Sequence, residues 1–371
     1  MKKKINHILP ALVLTASLGL TTVSCNGFLD EMPDNRTELN TDQKIAKLLV
    51  SAYADVSPNE LFELYSDNSD DSGPTYGYYK LSEQECYHWQ DTKEEYQDTP
   101  NSLWGGYYSA IAAANMALNA IEEKGNPASL DPQRGEALVC RAYCHFMLAN
   151  IFCNAYDTHA SQSLGVPYME EVETTVSPRY ERGTLEEVYR KVERDLLEGI
   201  GLISDDSYSV PKYHFTRKAA YAFAARFYLY YMKPDFSNCD RVIDFATRVL
   251  GTNPADLLRN WEALGNLSVN GNVQADAYIA SSNEANLLIS STISNWGAIG
   301  SDYLIGPRYF HNQTLATSET CLSSGLWGSS DYFYLKPFST NGFVASILRK
   351  SGLYEGTYLY YMPVLFSTDE T

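Results

Sequence analysis

Four aromatic residues stand in turn-forming sequence rather than on a periodic face: Tyr87, Trp89, Trp296 and Trp327. Flat rings in such places suit the C–H face of a sugar. Asn101, Asp67 and Asp71 supply an amide and carboxylates for its hydroxyls. Each stacked ring is worth roughly 1 kcal/mol or a little more, by analogy with aromatic pairs. These seven residues form the candidate ligand-binding set. The competing chemistry is glycoside hydrolysis, which needs two carboxylates across one sugar. Acid pairs such as Asp70-Asp71 and Glu186-Glu187 are present, but such pairs occur in any acidic protein. The sequence contains neither a phosphate loop nor a nucleophile elbow, and His88, His145, His159, His214 and His311 lack zinc spacing. Cys140 and Cys144 lie one turn apart, with His145 about 100° further round, so they read as small core residues. No catalytic residue, cofactor or metal is expected.

Such a site needs a frame, and the most strongly patterned stretch runs from Trp104 to Cys153. Trp104, Tyr107, Tyr108, Ile111, Asn115, Leu118 and Ile121 recur at three and four residues, which places Tyr107 and Tyr108 on a scaffold helix. Gly125 is a candidate C-cap, and Pro127 and Pro132 forbid continuation. A second helix starts near Arg134 and is apolar over more than half its circumference, from Ala137 through Phe152. A hairpin this greasy needs further hairpins beside it.

Upstream, Asn40 or Thr41 can cap a helix carrying Ile45, Leu48, Leu49, Ala52, Tyr53 and Val56, ended by Pro58. Residues 66 to 100 read as an irregular, aromatic-bearing ligand loop. Downstream, Thr184 and Glu187 form a capping box ahead of Val188, Val192, Leu196 and Ile200. Helices follow over Phe215 to Met232 and Val242 to Leu250. Ala137 to Tyr143 is echoed by Ala222 to Tyr228, with Arg141 and Arg226 in register, as in stacked helical hairpins. From about Asn253 periodicity weakens; Ala285 to Ile293 and Tyr358 to Phe366 read as extended. Residues 25–252 are thus expected to form a helical scaffold and 253–371 a loop-rich subdomain.

The formal charge of −18 argues against nucleic acid, which wants basic patches. Lys2, Lys3 and Lys4 precede an uncharged stretch, Ile8 to Val23, that fits a secretory signal over residues 1–24. Ser24 then precedes Cys25, the mark of a lipoprotein whose cysteine is acylated and becomes the new N-terminus. Several acyl chains together make a near-permanent membrane anchor. Six further cysteines remain, which at this size need not pair.

The run Cys25-Asn26-Gly27-Phe28-Leu29-Asp30-Glu31-Met32-Pro33 resembles the mature start of the SusD/RagB nutrient-uptake lipoproteins of Bacteroidetes outer membranes. The resemblance continues through Trp104 to Ile121 with Ala114-Asn115, and through Gly135-Glu136-Ala137, Arg141-Ala142-Tyr143 and Phe146-Met147-Leu148. It extends to Gly165-Val166-Pro167-Tyr168, Thr184 to Leu196, and Phe215-Thr216 to Arg226. It implies a mainly α fold, a tetratricopeptide-like hairpin scaffold bearing a loop-rich α and irregular/β subdomain. It also implies a surface lipoprotein that binds an oligosaccharide, or in some members a peptide, and serves as lid to a SusC-like TonB-dependent transporter. Family members continue beyond a segment like Thr368-Asp369-Glu370 into another helix, so the chain is expected to be a truncated form. The alternatives are a surface glycoside hydrolase and a peptide- or protein-binding helical-repeat scaffold.

Overall fold

Thr41 opens the first helix: its hydroxyl accepts from the Lys44 amide at 3.3 Å, and α1 runs Asp42–Leu48 before tightening into a 3-10 turn, Leu49–Ala52. The computed structural model describes residues 39–71, 80–175, 178–267, 273–294 and 308–311. The apolar period predicts a helix reaching Val56, but the helix stops at Ala52, and Val56 pairs with Ile293 in a parallel bridge. Pro58, expected to end α1, lies beyond its last turn. It stands at the head of a second helix, α2, Asn59–Leu64, which buries Leu61 and Leu64. A short strand, β1, Ser69–Asp71, follows.

The stretch read as an irregular loop holds α3, Leu81–Tyr87. Its buried residues are Ser82, Glu83, Glu85 and Cys86, so no apolar stripe marks it in the sequence. What starts it is Glu83, whose Oε2 accepts from the Lys80 amide at 3.2 Å.

The expected hairpin is present. The first arm, α4, spans Pro100–Glu123: Thr99 accepts from the Ser102 amide at 3.3 Å, and Pro100 occupies a first-turn position where no amide is needed. The second, α5, spans Asp131–Phe152, starting three residues before Arg134 because Pro132 sits in its first turn rather than ahead of it. Small residues line the α4 contact face, Ala110, Ala114 and Ala117, beside Tyr107, Ile111 and Ile121.

The next helix, α6, Leu185–Leu202, opens on the expected box: Thr184 accepts from the Glu187 amide (3.2 Å), and Glu187 accepts from the Thr184 amide (2.9 Å). It packs on α5 at backbone distance. A Cβ at Gly135 would meet Gly199 O and Ile203 N at 2.8 Å, so this crossing admits only glycine. Then come α7, Arg217–Tyr230, capped by Thr216, and α8, Cys239–Leu250, ended by Gly251 at φ 65°. The echo between α5 and α7 holds for packing alone. Arg141 is buried, whereas Arg226 is exposed and lies over the rings of Phe146 and Tyr230.

Beyond α8 the described chain holds only short elements: α9 (Trp261–Gly265), α10 (Val273–Ile279) and β2 (Tyr309–His311). β2 pairs antiparallel with β1, Asp71 opposite Tyr309. Residues 285–292, expected as a strand, form none, and Ile293 makes only its bridge to Val56. The architecture is mainly α, an array of helical hairpins with a two-stranded appendage. Among the described residues, no helix is long and apolar enough to cross a membrane.

One buried polar node ties α4, α5 and α6 to the strap 165–173. Arg141 Nε donates to Asp195 at 2.6 Å, and its Nη1 donates to Asn115 Oδ1 (3.0 Å) and Glu170 O (3.3 Å). Tyr168 O–H also donates to Asp195, at 2.7 Å. Asn115 donates to Met169 O and Glu171 O (3.1 and 3.3 Å). The Met169 amide donates to His145 Nε2 at 3.0 Å, so the ring proton sits on Nδ1, which donates to Arg141 O at 2.9 Å. Burial drives the His145 pKa down to about 3, consistent with a neutral ring.

Candidate functional site

A cleft of about 560 Å³ opens where the C-terminal end of α5 meets the first turn of α4. Ile151 and Phe152 form one wall, Pro100, Asn101 and Trp104 another, and Leu61, Tyr65 and the run Gln90, Asp91 and Thr92 close it. Trp104 is held edge-on to Phe152 at 5.0 Å and tilted against Tyr108 at 4.9 Å. The aromatic surface is therefore fixed before any ligand arrives.

Trp89 stands beside this cleft. Its ring lies nearly parallel to Tyr65, centroids 4.5 Å apart, yet the residue is 72% exposed. Its backbone is unusual. At the end of α3 the Trp89 amide donates to Cys86 O (2.9 Å) and the Gln90 amide to Glu85 O (2.8 Å). That pair is the Schellman closure of a helix, and the residue at its centre must be left-handed. Trp89 has φ 56°. A bulky residue there is an outlier, at a cost of order 1–3 kcal/mol. What fixes the turn lies below it: Glu85, buried, accepts from the Lys93 amide at 2.9 Å, and Glu94 accepts from the Ser82 amide at 2.9 Å.

Asn101 lines the cleft, and Trp89 adjoins two residues that line it, Gln90 along the chain and Tyr65 through the stack. Asn101 is exposed in the first turn of α4 and so faces the cleft on a rigid element, not on a loop. Tyr87 and Asp71 belong to a neighbouring cluster. Tyr87, the last residue of α3, packs on buried Tyr309 (5.0 Å), and its hydroxyl donates to Asp70 Oδ1 at 3.3 Å. Asp71 receives both guanidinium bonds of Arg308, at 2.6 and 2.7 Å, which staples β1 to β2. Both clusters rest on one small core of Leu61, Leu64, Cys86, Leu103 and Tyr309. Asp67 is exposed in the turn between α2 and β1. Trp296, Trp327 and Cys25 lie outside the described residues.

Sequence reasoning passed over Tyr65, Gln90, Trp104 and Phe152 as cleft residues. Trp104 and Phe152 lie on helices whose period accounts for them as core, and no local signal separates a helix-end aromatic that lines a cleft from one that fills a core. Three of the four acids weighed for hydrolysis have structural partners: Asp70 accepts from Tyr87, Asp71 holds Arg308, and Glu187 caps α6.

The described chain is thus a hairpin array that carries an aromatic cleft at one helix end. The family model described as SusD-like, starch-binding associating with outer membrane, matches residues 27–229, more than half of the chain. The chain belongs to this SusD-like family. Solved structures of the same fold include a SusD superfamily protein from Bacteroides vulgatus ATCC 8482, 20% identical, which covers 74% of this chain and 60% of that one with TM-score 0.51. A SusD-like carbohydrate-binding protein from the same organism is 15% identical, covers 74% and 58%, and gives TM-score 0.52. A third, solved with xylogluco-oligosaccharide, is 17% identical, covers 74% and 54%, and gives 0.51. The chain thus spans less than two thirds of their lengths. Nothing among curated proteins matches it.

Proposed function

We propose that this protein captures an oligosaccharide at the outer membrane surface, without cleaving it, and hands it to a SusC-like TonB-dependent transporter. Acylated Cys25 is its membrane anchor. The observation that carries this reading is Trp89: an indole held 72% exposed, in a left-handed conformation, stacked beside a cleft that also presents Asn101. The stack on Tyr65 no more than offsets the backbone strain, and a flat ring at a wet cleft is what the C–H face of a sugar recognises. Trp296 and Trp327 complete the proposed aromatic set, with Tyr87, Asp67 and Asp71 at its margin. The binding of xylogluco-oligosaccharide by a protein of the same fold supports the ligand class.

Titration calorimetry against a panel of soluble glycans tests the capture step. Saturable binding without release of shorter products is expected. Trp89→Ala and Asn101→Ala should each weaken it roughly five- to tenfold, the equivalent of about 1 kcal/mol. Unchanged affinity in both variants would remove the site, and accumulation of cleaved glycan would make the protein a hydrolase. Labelling with radioactive palmitate tests the anchor: Cys25→Ala should abolish incorporation and leave the protein unattached to membrane.

A further inference from the structure

A second cavity, which shares Trp104 with the first, lies between α4 and the strap 165–173, and nothing above uses it. Its volume is about 450 Å³, within the range of pockets that hold small ligands or peptide side chains. One wall is the outer face of α4, with Trp104, Tyr108 and Met116. The opposite wall is Met169 and Val172, and Tyr180 stands at the edge.

The far wall is rigid. Tyr108 O–H donates to Pro167 O at 2.8 Å, Asn115 to Met169 O and Glu171 O, and the Met169 amide to buried His145. Tyr180 O–H donates to Glu173 Oε1 at 2.6 Å and so holds the edge in place. A cavity built this way is open before its ligand arrives, so binding carries little ordering cost.

Its electrostatics are one-sided. Glu171 and Glu173 line it, and among the described residues no Lys or Arg does. Four cations on neighbouring elements are engaged elsewhere, and Arg179, next to Tyr180, is exposed and does not line the cavity. Lys191 and Arg194 both hold Glu170, at 2.5 and 2.7 Å, and Arg182 donates to Gly165 O at 2.6 Å. Arg141 is spent on Asp195. An aromatic and thioether cage with two carboxylates and no cation in its lining favours a cation on an apolar stem.

We propose that this cavity binds a peptide segment through an arginine or lysine side chain, with the stem against Trp104, Tyr108 and the methionines and the charge on Glu171 and Glu173. The volume exceeds what one side chain needs, which favours a basic residue flanked by an apolar one over a free amine. The site shares only Trp104 with the glycan cleft, so it does not depend on that assignment.

The test is fluorescence anisotropy on the whole chain with a labelled five-residue peptide carrying a central arginine between two phenylalanines. The same peptide with glutamine or glutamate in place of arginine, and free arginine amide, serve as competitors. The arginine peptide should bind saturably, at least about tenfold tighter than the glutamine form, and lose affinity with added salt. Glu171→Gln with Glu173→Gln should weaken it roughly tenfold. Ala112→Trp, which fills the cavity from the exposed face of α4, should abolish it, while Trp89→Ala leaves it unchanged. Equal affinity for the arginine and glutamine peptides, or no effect of the paired glutamate changes, overturns the proposal. Competition by free arginine amide as strong as by the peptide overturns it also, since the site would then take a small amine.

Discussion

Two helices of this protein end in the same hydrogen-bond pattern with opposite chemistry at its centre. At the end of α4 the Gly125 amide donates to Glu122 O and the Asn126 amide to Ile121 O, and Gly125 takes φ 81°. At the end of α3 the Trp89 amide donates to Cys86 O and the Gln90 amide to Glu85 O, and Trp89 takes φ 56°. Glycine is the residue this closure favours, because a side chain meets the carbonyl that follows it. The scaffold end follows that preference and turns cheaply into the next helix. The cleft end departs from it and holds a large ring out to solvent. The same backbone event serves stability in one place and, in the proposed function, ligand capture in the other.

The contrast extends to what is buried beneath each end. Under α4 and α5, every charge of the polar node is matched, Arg141 to Asp195 above all. Replacing one partner therefore exposes the other, and Arg141→Met should cost about 3–5 kcal/mol, as for other broken buried pairs. Asn115 and Glu170 O lose a donor in the same step. Urea unfolding of the variant checks this; a loss below about 1 kcal/mol would mean that the node is wetter than its geometry implies.

The two regions should also respond to pH with opposite sign. Burial lowers the His145 pKa to about 3, so the folded state binds that proton less readily than the unfolded chain. Its contribution is intact above the unfolded value near 6.5 and is lost as pH falls from there toward 3. Glu60, on α2 under the cleft, is displaced upward to about 8 by burial, with Asp98 and Glu83 adding and Lys80 opposing. Here the folded state holds its proton more tightly, so stability is full below about 4.5 and falls as pH rises toward 8. Each shift corresponds to a few kcal/mol at most. Amide exchange should show α4 and α5 loosening as pH falls below about 6.5, and α2 and α3 loosening as pH rises from about 4.5 toward 8. Glu60→Gln should remove the second change alone. A loss with rising pH that persists in Glu60→Gln would place its origin elsewhere.

How much of this is legible in the sequence follows from where each signal resides. The hairpin is plain because Trp104 to Ile121 and Ala137 to Phe152 write their burial in apolar residues at helical spacing. Thr184 and Glu187 announce α6 through two side chains three apart. By contrast α3 buries Glu83 and Glu85, so its period is written in carboxylates and reads as loop. Trp89 and Asn101 are visible as candidates from residue type, but Tyr65 and Phe152 meet them only through packing between segments distant in sequence. Ile293 fails as a strand for the same reason: its single partner, Val56, lies 237 residues upstream, a distance no local pattern encodes.

The smallest expected effect is the sharpest test of the two helix ends. Gly125→Ala forces a Cβ into the left-handed position and should destabilise the protein by about 1 kcal/mol. Trp89→Gly supplies the residue that the same closure favours. It relieves a strain of order 1 kcal/mol and forfeits the stack on Tyr65, worth about 0.5–1.5 kcal/mol, so stability should stay within about 1 kcal/mol of the parent. Glycan affinity should nevertheless fall roughly five- to tenfold. Calorimetric melting and glycan titration on the two variants separate these outcomes. A Trp89→Gly protein that unfolds several kcal/mol more easily would show that the ring is a structural plug, and the two ends of the scaffold would then differ in residue but not in purpose.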